Sequence, residues 1–382
     1  MTRHRRLLGA FALTTALASP ALSQSYTIEP LAEGLNQPWA LAFLPGTPAI
    51  LLTGRTGQIM LWVAETGAIT AIDGAPEVDA GGQGGLLDIA PAPDFEQSAL
   101  VYLTWSAAND AGETATHLGR ARLDRDAARL NDLEVLHAVE PFMNAPGHYG
   151  SRITFAGEHL YFSTGDRQQK DFGPEHIAQD RSNGYGSILR LNLDGSLPPD
   201  NPFADDEGAA PEIWSFGHRN IQAMGGHPQT GAIWVAEHGE AGGDEINIVE
   251  RAGNYGWPLV SHGVDYRTGE PFAPEHAAGD SFIAPVFHFG PGRADNFPPS
   301  GMAFYEGAAF PEWRDSLLVG NLAHQYLGRF PTDDETVSTP ERLLEGQGWR
   351  IRDVAVGPQD GFVYVISDGE GAVLARLVPA TP

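Results

Sequence analysis

One two-strand pattern recurs six times along this chain, and it constrains the fold more than any other feature. In each copy an alternating hydrophobic strand leads into a turn of Gly, Pro or Asp, and a second hydrophobic strand follows. The copies occupy residues 39–43 and 50–53, 86–90 and 100–104, 151–155 and 160–164, 223–224 and 233–236, 301–305 and 316–319, and 351–356 and 363–366. Their spacing of about 60 residues suits a unit of four strands and their loops.

This repeat predicts an all-β fold, a six-bladed β-propeller. Six similar sheets arranged in a ring close without exposed edges. The long spacing disfavours a β-helix, and the even series of similar units disfavours two unrelated β-sandwiches. Helix signals are almost absent, and residues 124–136 form the one candidate helix. No linker divides the chain, so we expect residues 24–382 to form a single domain.

The first 23 residues are typical of a signal peptide. Arg3, Arg5 and Arg6 precede an uncharged apolar run at residues 7–18, and residues 21–23 form a small-x-small cleavage site. A retained membrane anchor is the less favoured alternative. We therefore expect cleavage and export to the periplasm or the medium. No stretch of the mature region approaches the length of a membrane span, and the absence of cysteine excludes disulfides.

The chain is strongly acidic, with a formal charge of -26 from 49 acidic and 23 basic residues. Such a surface repels phosphate backbones, so nucleic acid is a poor partner. An anionic ligand would have to be held by a few placed arginines against this field. Each basic residue in a loop is therefore informative.

Loops at one end of a propeller converge, so a site should consist of single polar residues contributed by different blades. The first candidate is Gln83, which has two glycines on each side, a pattern that permits close approach of the backbone. The second is His148, which lies between Gly147 and Tyr149 at the start of a strand. The strand that returns beside it ends at Asp166, which can orient and charge-stabilise a catalytic histidine.

Two further motifs carry positive charge. Arg219 and Asn220 lie together in a loop and suit a carboxylate or a quinone oxygen. Arg350 and Arg352 occupy alternate positions of a strand and therefore share a face, which indicates an anionic ligand between them. The simpler alternative is pairing with Asp353 and neighbouring acids.

Acidic and amide oxygens cluster among glycines at residues 237–247, and a second glycine-rich segment follows at residues 253–258. A hard cation such as calcium uses these donors together with backbone carbonyls. The spacing does not match an EF-hand. His238 and His262 would suit zinc, but no His-x-x-x-His pair or cysteine accompanies them.

Taken in order, these motifs resemble the soluble glucose/sorbosone dehydrogenase family that depends on pyrroloquinoline quinone (PQQ), and most closely its periplasmic aldose sugar dehydrogenases. The resemblance runs from residues 37–40 to the final strands. Each motif is weak alone, and the ordered set is specific. It implies PQQ- and calcium-dependent oxidation of an aldose at C1 to a lactone, with hydride transfer to the quinone. An external electron acceptor, a quinone or a cytochrome, is also implied.

The resemblance also implies roles for individual residues. His148 is expected to be the general base, supported by Asp166. Glu245 and the backbone carbonyl of Tyr255 are expected to bind calcium, and a second calcium held by backbone near the cofactor is implied without an assigned position. The residues expected to contact PQQ are Gln83, Arg219, Asn220, Arg350 and Arg352.

The chain departs from the family at one position. Members often carry a lysine after the strand that matches residues 317–320, whereas this chain has Asn321, Leu322, Ala323, His324 and Gln325 there. His324 or Gln325 is a possible substitute. Two alternatives to the dehydrogenase remain open, a calcium-dependent propeller lactonase and a non-catalytic propeller binding module. The lactonase does not need the set of arginines, and the retained His148 and Asp166 oppose the binding module.

Overall fold

The six recurring patterns are the two inner strands of six four-stranded antiparallel sheets, which confirms the predicted six-bladed β-propeller. The computed structural model describes residues 26–277, 279, 281–294, 296–333 and 335–380, so the predicted signal peptide lies outside the described residues. No helix within those ranges is long and apolar enough to cross a membrane.

Twenty-four strands and two short helical turns make up the regular structure of the described residues. The strands are β1 (Tyr26–Asn36), β2 (Pro38–Phe43), β3 (Ala49–Gly54), β4 (Gln58–Val63), β5 (Ala68–Ile72), β6 (Leu86–Pro91), β7 (Leu100–Ala108), β8 (Thr114–Asp124), β9 (Arg129–Ala138), β10 (Ile153–Ala156), β11 (His159–Ser163), β12 (Ser187–Asn192), β13 (Ile213–Phe216), β14 (Ile221–Gly226), β15 (Ile233–Glu237), β16 (Glu245–Ile248), β17 (Phe287–His288), β18 (Pro299–Tyr305), β19 (Ser316–Asn321), β20 (Tyr326–Pro331), β21 (Glu341–Leu343), β22 (Ile351–Val356), β23 (Val363–Ser367) and β24 (Glu370–Pro379). The helical turns are α1 (Phe95–Ser98) and a 3₁₀ turn at Pro311–Trp313.

The first strand closes the ring. Five sheets take four consecutive strands each, from β2 to β21, and the sixth has the order β22-β23-β24-β1. Strand β1 pairs antiparallel with β24, placing Tyr26 opposite Pro379 and Glu29 opposite Arg376. The Nε atom of Arg376 also lies 2.8 Å from a carboxylate oxygen of Glu29. The two ends of the described chain thus share one blade, which leaves no open end in the ring.

The inner strands β2, β6, β10, β14, β18 and β22 contact one another in ring order and surround a central channel. Arg152 blocks the middle of this channel. Its Nη1 atom lies 3.1 Å from Asp353 and 3.5 Å from Asp88, and its guanidinium stacks on Trp39 at 4.2 Å. Burial is the main cause that raises the pKa of Asp88 to about 6, against the lowering charge of Arg152. The ion cluster gives the loops at one end of the channel a closed floor.

The predicted helix at residues 124–136 is wrong. The segment is the end of β8, a tight turn and most of β9, with Asp124 paired to Arg129 and Arg120 paired to Glu134. Ala128 has a φ of 49°, in the left-handed region that does not continue an α-helix. The helix-forming residues lie on an outer strand, where pairing with β8 satisfies the backbone and overrides local propensity.

Candidate active site

His148 and Asp166 form a buried pair where the loop before β10 meets the loop after β11. The Nδ1 atom of His148 lies 2.6 Å from Oδ1 of Asp166, and the two side chains are 6% and 1% exposed. Asp166 Oδ2 accepts a hydrogen bond of 2.8 Å from the Nε1–H of Trp257. Because an ionised carboxylate only accepts, Nδ1 of His148 carries the proton and Nε2 has the free lone pair.

The local backbone determines where this histidine is held. His148 has a φ of 52°, a left-handed conformation that is uncommon outside glycine and typical of functional sites. Its backbone N–H donates to Oε1 of Gln83 over 2.8 Å. Two residues later, a Cβ on Gly150 would lie 2.5 Å from the carbonyl carbon of Thr164, so glycine is required there. The strained loop is therefore fixed by contacts with two other segments.

Electrostatics keep the histidine neutral and the aspartate ionised. Burial, followed by the nearby Arg219 guanidinium, lowers the pKa of His148 below its ordinary value of 6.5. Burial alone would raise the pKa of Asp166, but the interaction with His148, together with Arg219 and His176, outweighs burial and lowers that pKa. The pair is thus a neutral imidazole supported by a carboxylate, which is suited to accepting a proton.

A cavity of about 300 Å³ lies beside this pair at the centre of the ring, at the lower end of the usual size range of small-molecule sites. Four of the predicted cofactor contacts line it: Gln83, Asn220, Arg350 and Arg352. Tyr149 and Gly150, the residues directly after His148, line it as well. The structure therefore brings residues from all six blades to one chamber, although they are far apart in sequence.

Arg350 and Arg352 share one carboxylate, that of Asp368. The Nε atom of Arg350 lies 3.0 Å from Oδ2 of Asp368, and Arg352 Nη2 lies 3.0 Å from Oδ1. Asp353, the partner considered from the sequence, pairs with Arg152 instead. Arg55 adds a third guanidinium to the cavity, held by the carbonyls of Gly82 and Gly84. Among the described lining residues, three arginines thus face one carboxylate.

Arg219 lines a second, smaller cavity of about 20 Å³ next to the first, and His238 lines both. The Nη2 atom of Arg219 lies 2.7 Å from Glu240, whose carboxylate also binds Lys170 at 2.6 Å. Lys170 is the only lysine in the sequence. The Nε atom of Arg219 is buried without a hydrogen-bond partner among the described residues. This cluster thus has two cations, Arg219 and Lys170, for the one carboxylate of Glu240. The Nε–H of Arg219 remains available to a further hydrogen-bond acceptor.

The predicted metal ligands Glu245 and Tyr255 line the same small cavity, together with Glu237. Burial, and then the charge of Glu237, raise the pKa of Glu245 well above its ordinary value. Two carboxylates that repel one another, the buried one of Glu237 and the half-buried one of Glu245, have glycine backbone around them and form a donor set that a cation would stabilise. Glu237 is in turn fixed by His218, whose Nδ1 lies 2.8 Å from Oε1.

Two other features of the sequence differ from expectation in the structure, the glycines around Gln83 and the segment that lacks the family lysine. The glycines around Gln83 approach protein backbone, because a Cβ at Gly82 or Gly85 would collide with the carbonyl oxygen of Pro146 or Arg55. At the departure from the family, Leu322 and Ala323 line the cavity, whereas neither His324 nor Gln325 does.

Sequence reasoning missed Arg55, Lys170, Glu240, Trp257 and Asp368. The one available signal was Lys170, because a single lysine in so acidic a chain is unusual. Glu240 and Trp257 lie within the predicted cation-binding segments at residues 237–247 and 253–258 but were given no role there, whereas Arg55 and Asp368 stand in no motif. Trp257 and Asp166 are 91 positions apart.

Comparisons with known proteins agree with the propeller fold. The family model described as Glucose / Sorbosone dehydrogenase matches residues 35–376. The chain is 38% identical over 378 residues to the aldose sugar dehydrogenase YliI of Escherichia coli K12, covering 98% of each chain. The apo-form structure of the soluble aldose sugar dehydrogenase from Escherichia coli has a TM-score of 0.87 at 38% identity, over 93% of this chain and 100% of that one. The PQQ-bound form of an aldose sugar dehydrogenase from Streptomyces coelicolor has a TM-score of 0.76 at 28% identity, over 94% and 99%.

Proposed function

The chain belongs to the glucose/sorbosone dehydrogenase family, and from this premise we propose that it oxidises aldose sugars at C1 to lactones, using PQQ and calcium. The observation that carries the proposal is the cationic cavity at the centre of an otherwise acidic protein. Three arginines and one carboxylate line it, in a chain of charge -26. Such a surplus is suited to a small ligand that bears several carboxylates.

His148 is the proposed general base. Its neutral state and its Nδ1–H···Asp166 hydrogen bond leave Nε2 able to accept the proton of the C1 hydroxyl. Asp166 holds the tautomer and stabilises the imidazolium that forms. Bound PQQ supplies the hydride acceptor for this chemistry. The floor formed by Arg152 closes the chamber from the other end of the channel.

Five residues are proposed to hold the cofactor. Arg350 and Arg352 present a shared positive face, and Arg219 has an Nε–H that no described residue accepts. Gln83 and Asn220 supply amides and also brace the histidine loop, since Asn220 Oδ1 accepts from the N–H of Gly150 over 3.2 Å. The absence of the family lysine removes one cation, and we propose that Arg55, which also lines the cavity, replaces its charge.

Glu245 and the carbonyl of Tyr255 are proposed to hold calcium. The donor chemistry fits, because carboxylate and carbonyl oxygens surround a small buried cavity. A cation there would relieve the repulsion between Glu237 and Glu245 and fix the loop that carries Trp257. We further propose that residues 1–23 direct export, so that oxidation takes place in the periplasm or outside the cell with an external electron acceptor.

The deciding experiment is reconstitution. Purified metal-free protein is mixed with PQQ, calcium, an aldose and an artificial electron-accepting dye. Dye reduction that requires both additions supports the proposal, and the preferred sugar follows from a panel of aldoses. Calcium-dependent lactone hydrolysis without quinone binding would favour a lactonase instead. Neither activity would indicate a binding module.

Two variants separate binding from chemistry. His148→Gln should bind PQQ with unchanged affinity and lose turnover, because it removes only the base. Arg352→Gln should weaken PQQ binding by about tenfold or more, the size of one lost charge-assisted hydrogen bond. Arg376→Gln, which removes a surface arginine paired with Glu29, is the matched control. Normal turnover in His148→Gln would contradict the assigned mechanism.

A further inference from the structure

A group of imidazoles lies against Glu245 on the side of the loop between β16 and β17. One ligand atom each from Glu245, His262 and His276 lie within 4.8 Å of one another. His288 is the cross-strand neighbour of Glu245, and its ring stacks on His262 at 3.6 Å with an interplanar angle of 8°. This histidine group therefore combines residues from three separate segments of the chain.

The surroundings of His262 indicate that the histidine group binds a ligand. Its side chain is only 8% exposed, and its Nδ1 has no hydrogen-bond partner among the described residues. The carboxylate of Glu275 is 3.9 Å from this nitrogen, which is beyond hydrogen-bond length. A buried imidazole nitrogen with no partner carries a desolvation cost that a metal ion would offset.

The backbone around the histidines is anchored. Ser261 N–H donates to the carbonyl of Pro274 over 2.9 Å, which sets the segment of His276 beside that of His262. Val264 and Ala241 exchange backbone hydrogen bonds of 3.2 and 3.0 Å, which ties the loop to the strand that begins at Glu245. The spacing of the ligand atoms is thus a property of the fold.

We propose that Glu245, His262 and His276 bind a borderline divalent metal ion of the Zn²⁺ class. Two imidazoles and a carboxylate are a common zinc ligand set that leaves a fourth position open, whereas calcium prefers oxygen donors. For bonds of about 2.0–2.2 Å, each ligand atom has to move by less than about 1 Å from its present position. His288 is a positioning residue, because its stacked ring fixes the plane of His262.

This site shares Glu245 with the proposed calcium site but not the other donors, and it does not depend on the quinone. The ligand chemistry therefore separates the two proposals. His262→Gln removes a zinc ligand and leaves the oxygen donors of Glu245 and Tyr255, whereas Glu245→Gln affects both ions.

The test uses untagged, metal-free mature protein and two probes. Zn²⁺ binding is measured by calorimetry, and Co²⁺ binding by the visible absorption that cobalt shows with imidazole ligands. We expect one equivalent of each probe ion to bind in a quinone-free sample. His262→Gln and His276→Gln should each weaken Zn²⁺ binding at least tenfold and abolish the cobalt spectrum.

His159→Gln is the matched control, because His159 is a half-buried histidine of β11 whose contact is Arg190. It should bind Zn²⁺ as the wild type does. His276 is half-buried, so its variant keeps the test valid if His262→Gln does not fold. Unchanged Zn²⁺ affinity in both variants, or absence of the cobalt spectrum in the wild type, would overturn the proposal. Wild-type protein that binds Zn²⁺ but not Ca²⁺ would contradict only the proposed calcium site.

Discussion

Asp166→Asn tests how the proposed base is held. Oδ1 of Asp166 accepts from His148 Nδ1 at 2.6 Å and from the N–H of Gln168 at 2.9 Å, and Oδ2 accepts from Trp257 Nε1 at 2.8 Å. Asparagine has one accepting oxygen. Since the Oδ1 side has two donors and the Oδ2 side has one, we expect the amide oxygen to remain toward His148. The amide –NH₂ then faces the Trp257 Nε1–H, donor against donor.

Two separate losses follow, with different sizes. The unsatisfied donors lie in a site that is 1% exposed, so the free energy of unfolding should fall by about 1–3 kcal/mol. Loss of the negative charge removes the partner of the imidazolium and lowers the pKa of His148 further. The value of kcat should fall by about 10²–10⁴, the usual contribution of a general base.

Denaturant unfolding measures the first loss, and dye-linked aldose oxidation by the reconstituted enzyme measures the second. Asp171→Asn, at an exposed aspartate of the same loop, is the control and should change neither. Adding Trp257→Phe removes the opposing donor, so the double-mutant cycle should recover part of the stability while kcat stays low. Wild-type kcat in Asp166→Asn, or recovery of kcat rather than stability on adding Trp257→Phe, would refute the reasoning.

Three further outcomes are expected. In apoprotein with labelled histidine, NMR titration should give His148 a pKa below 6.5, because burial and Arg219 disfavour its charged form. The His148 signal is assigned by its loss in His148→Gln, and a pKa above 6.5 would contradict the prediction. The raised pKa of Glu245 means that the folded protein binds more protons there than the unfolded chain. Metal-free wild type should therefore lose stability relative to Glu245→Gln as the pH rises above the ordinary glutamate pKa of 4.5, and calcium should reverse the loss. A difference in Tm that does not change with pH would exclude that linkage. Mass spectrometry of the exported protein should find Gln24 at the N-terminus, and an intact N-terminus would argue for a retained anchor.

The propeller was predictable from the sequence because its signals are local. Alternating hydrophobic strands and the turns between them can be recognised within a few residues, and six copies of such a unit have few ways to avoid open edges. The same locality explains the error at residues 124–136. Helix-forming residues there lie on an outer strand, and the hydrogen bonds that settle the matter come from β8.

The candidate site was predictable only as separate motifs. Which charges meet was decided by the tertiary structure, because ring closure brings distant loops together. Asp368 rather than Asp353 pairs with both Arg350 and Arg352, so that one negative charge faces two positive ones. No local pattern in the sequence indicates this pairing. His262 lacked a partner at any spacing typical of zinc sites, yet the fold places Glu245 and His276 beside it. Strand patterns depend on neighbours in sequence, whereas charge balance and metal ligation depend on neighbours in space.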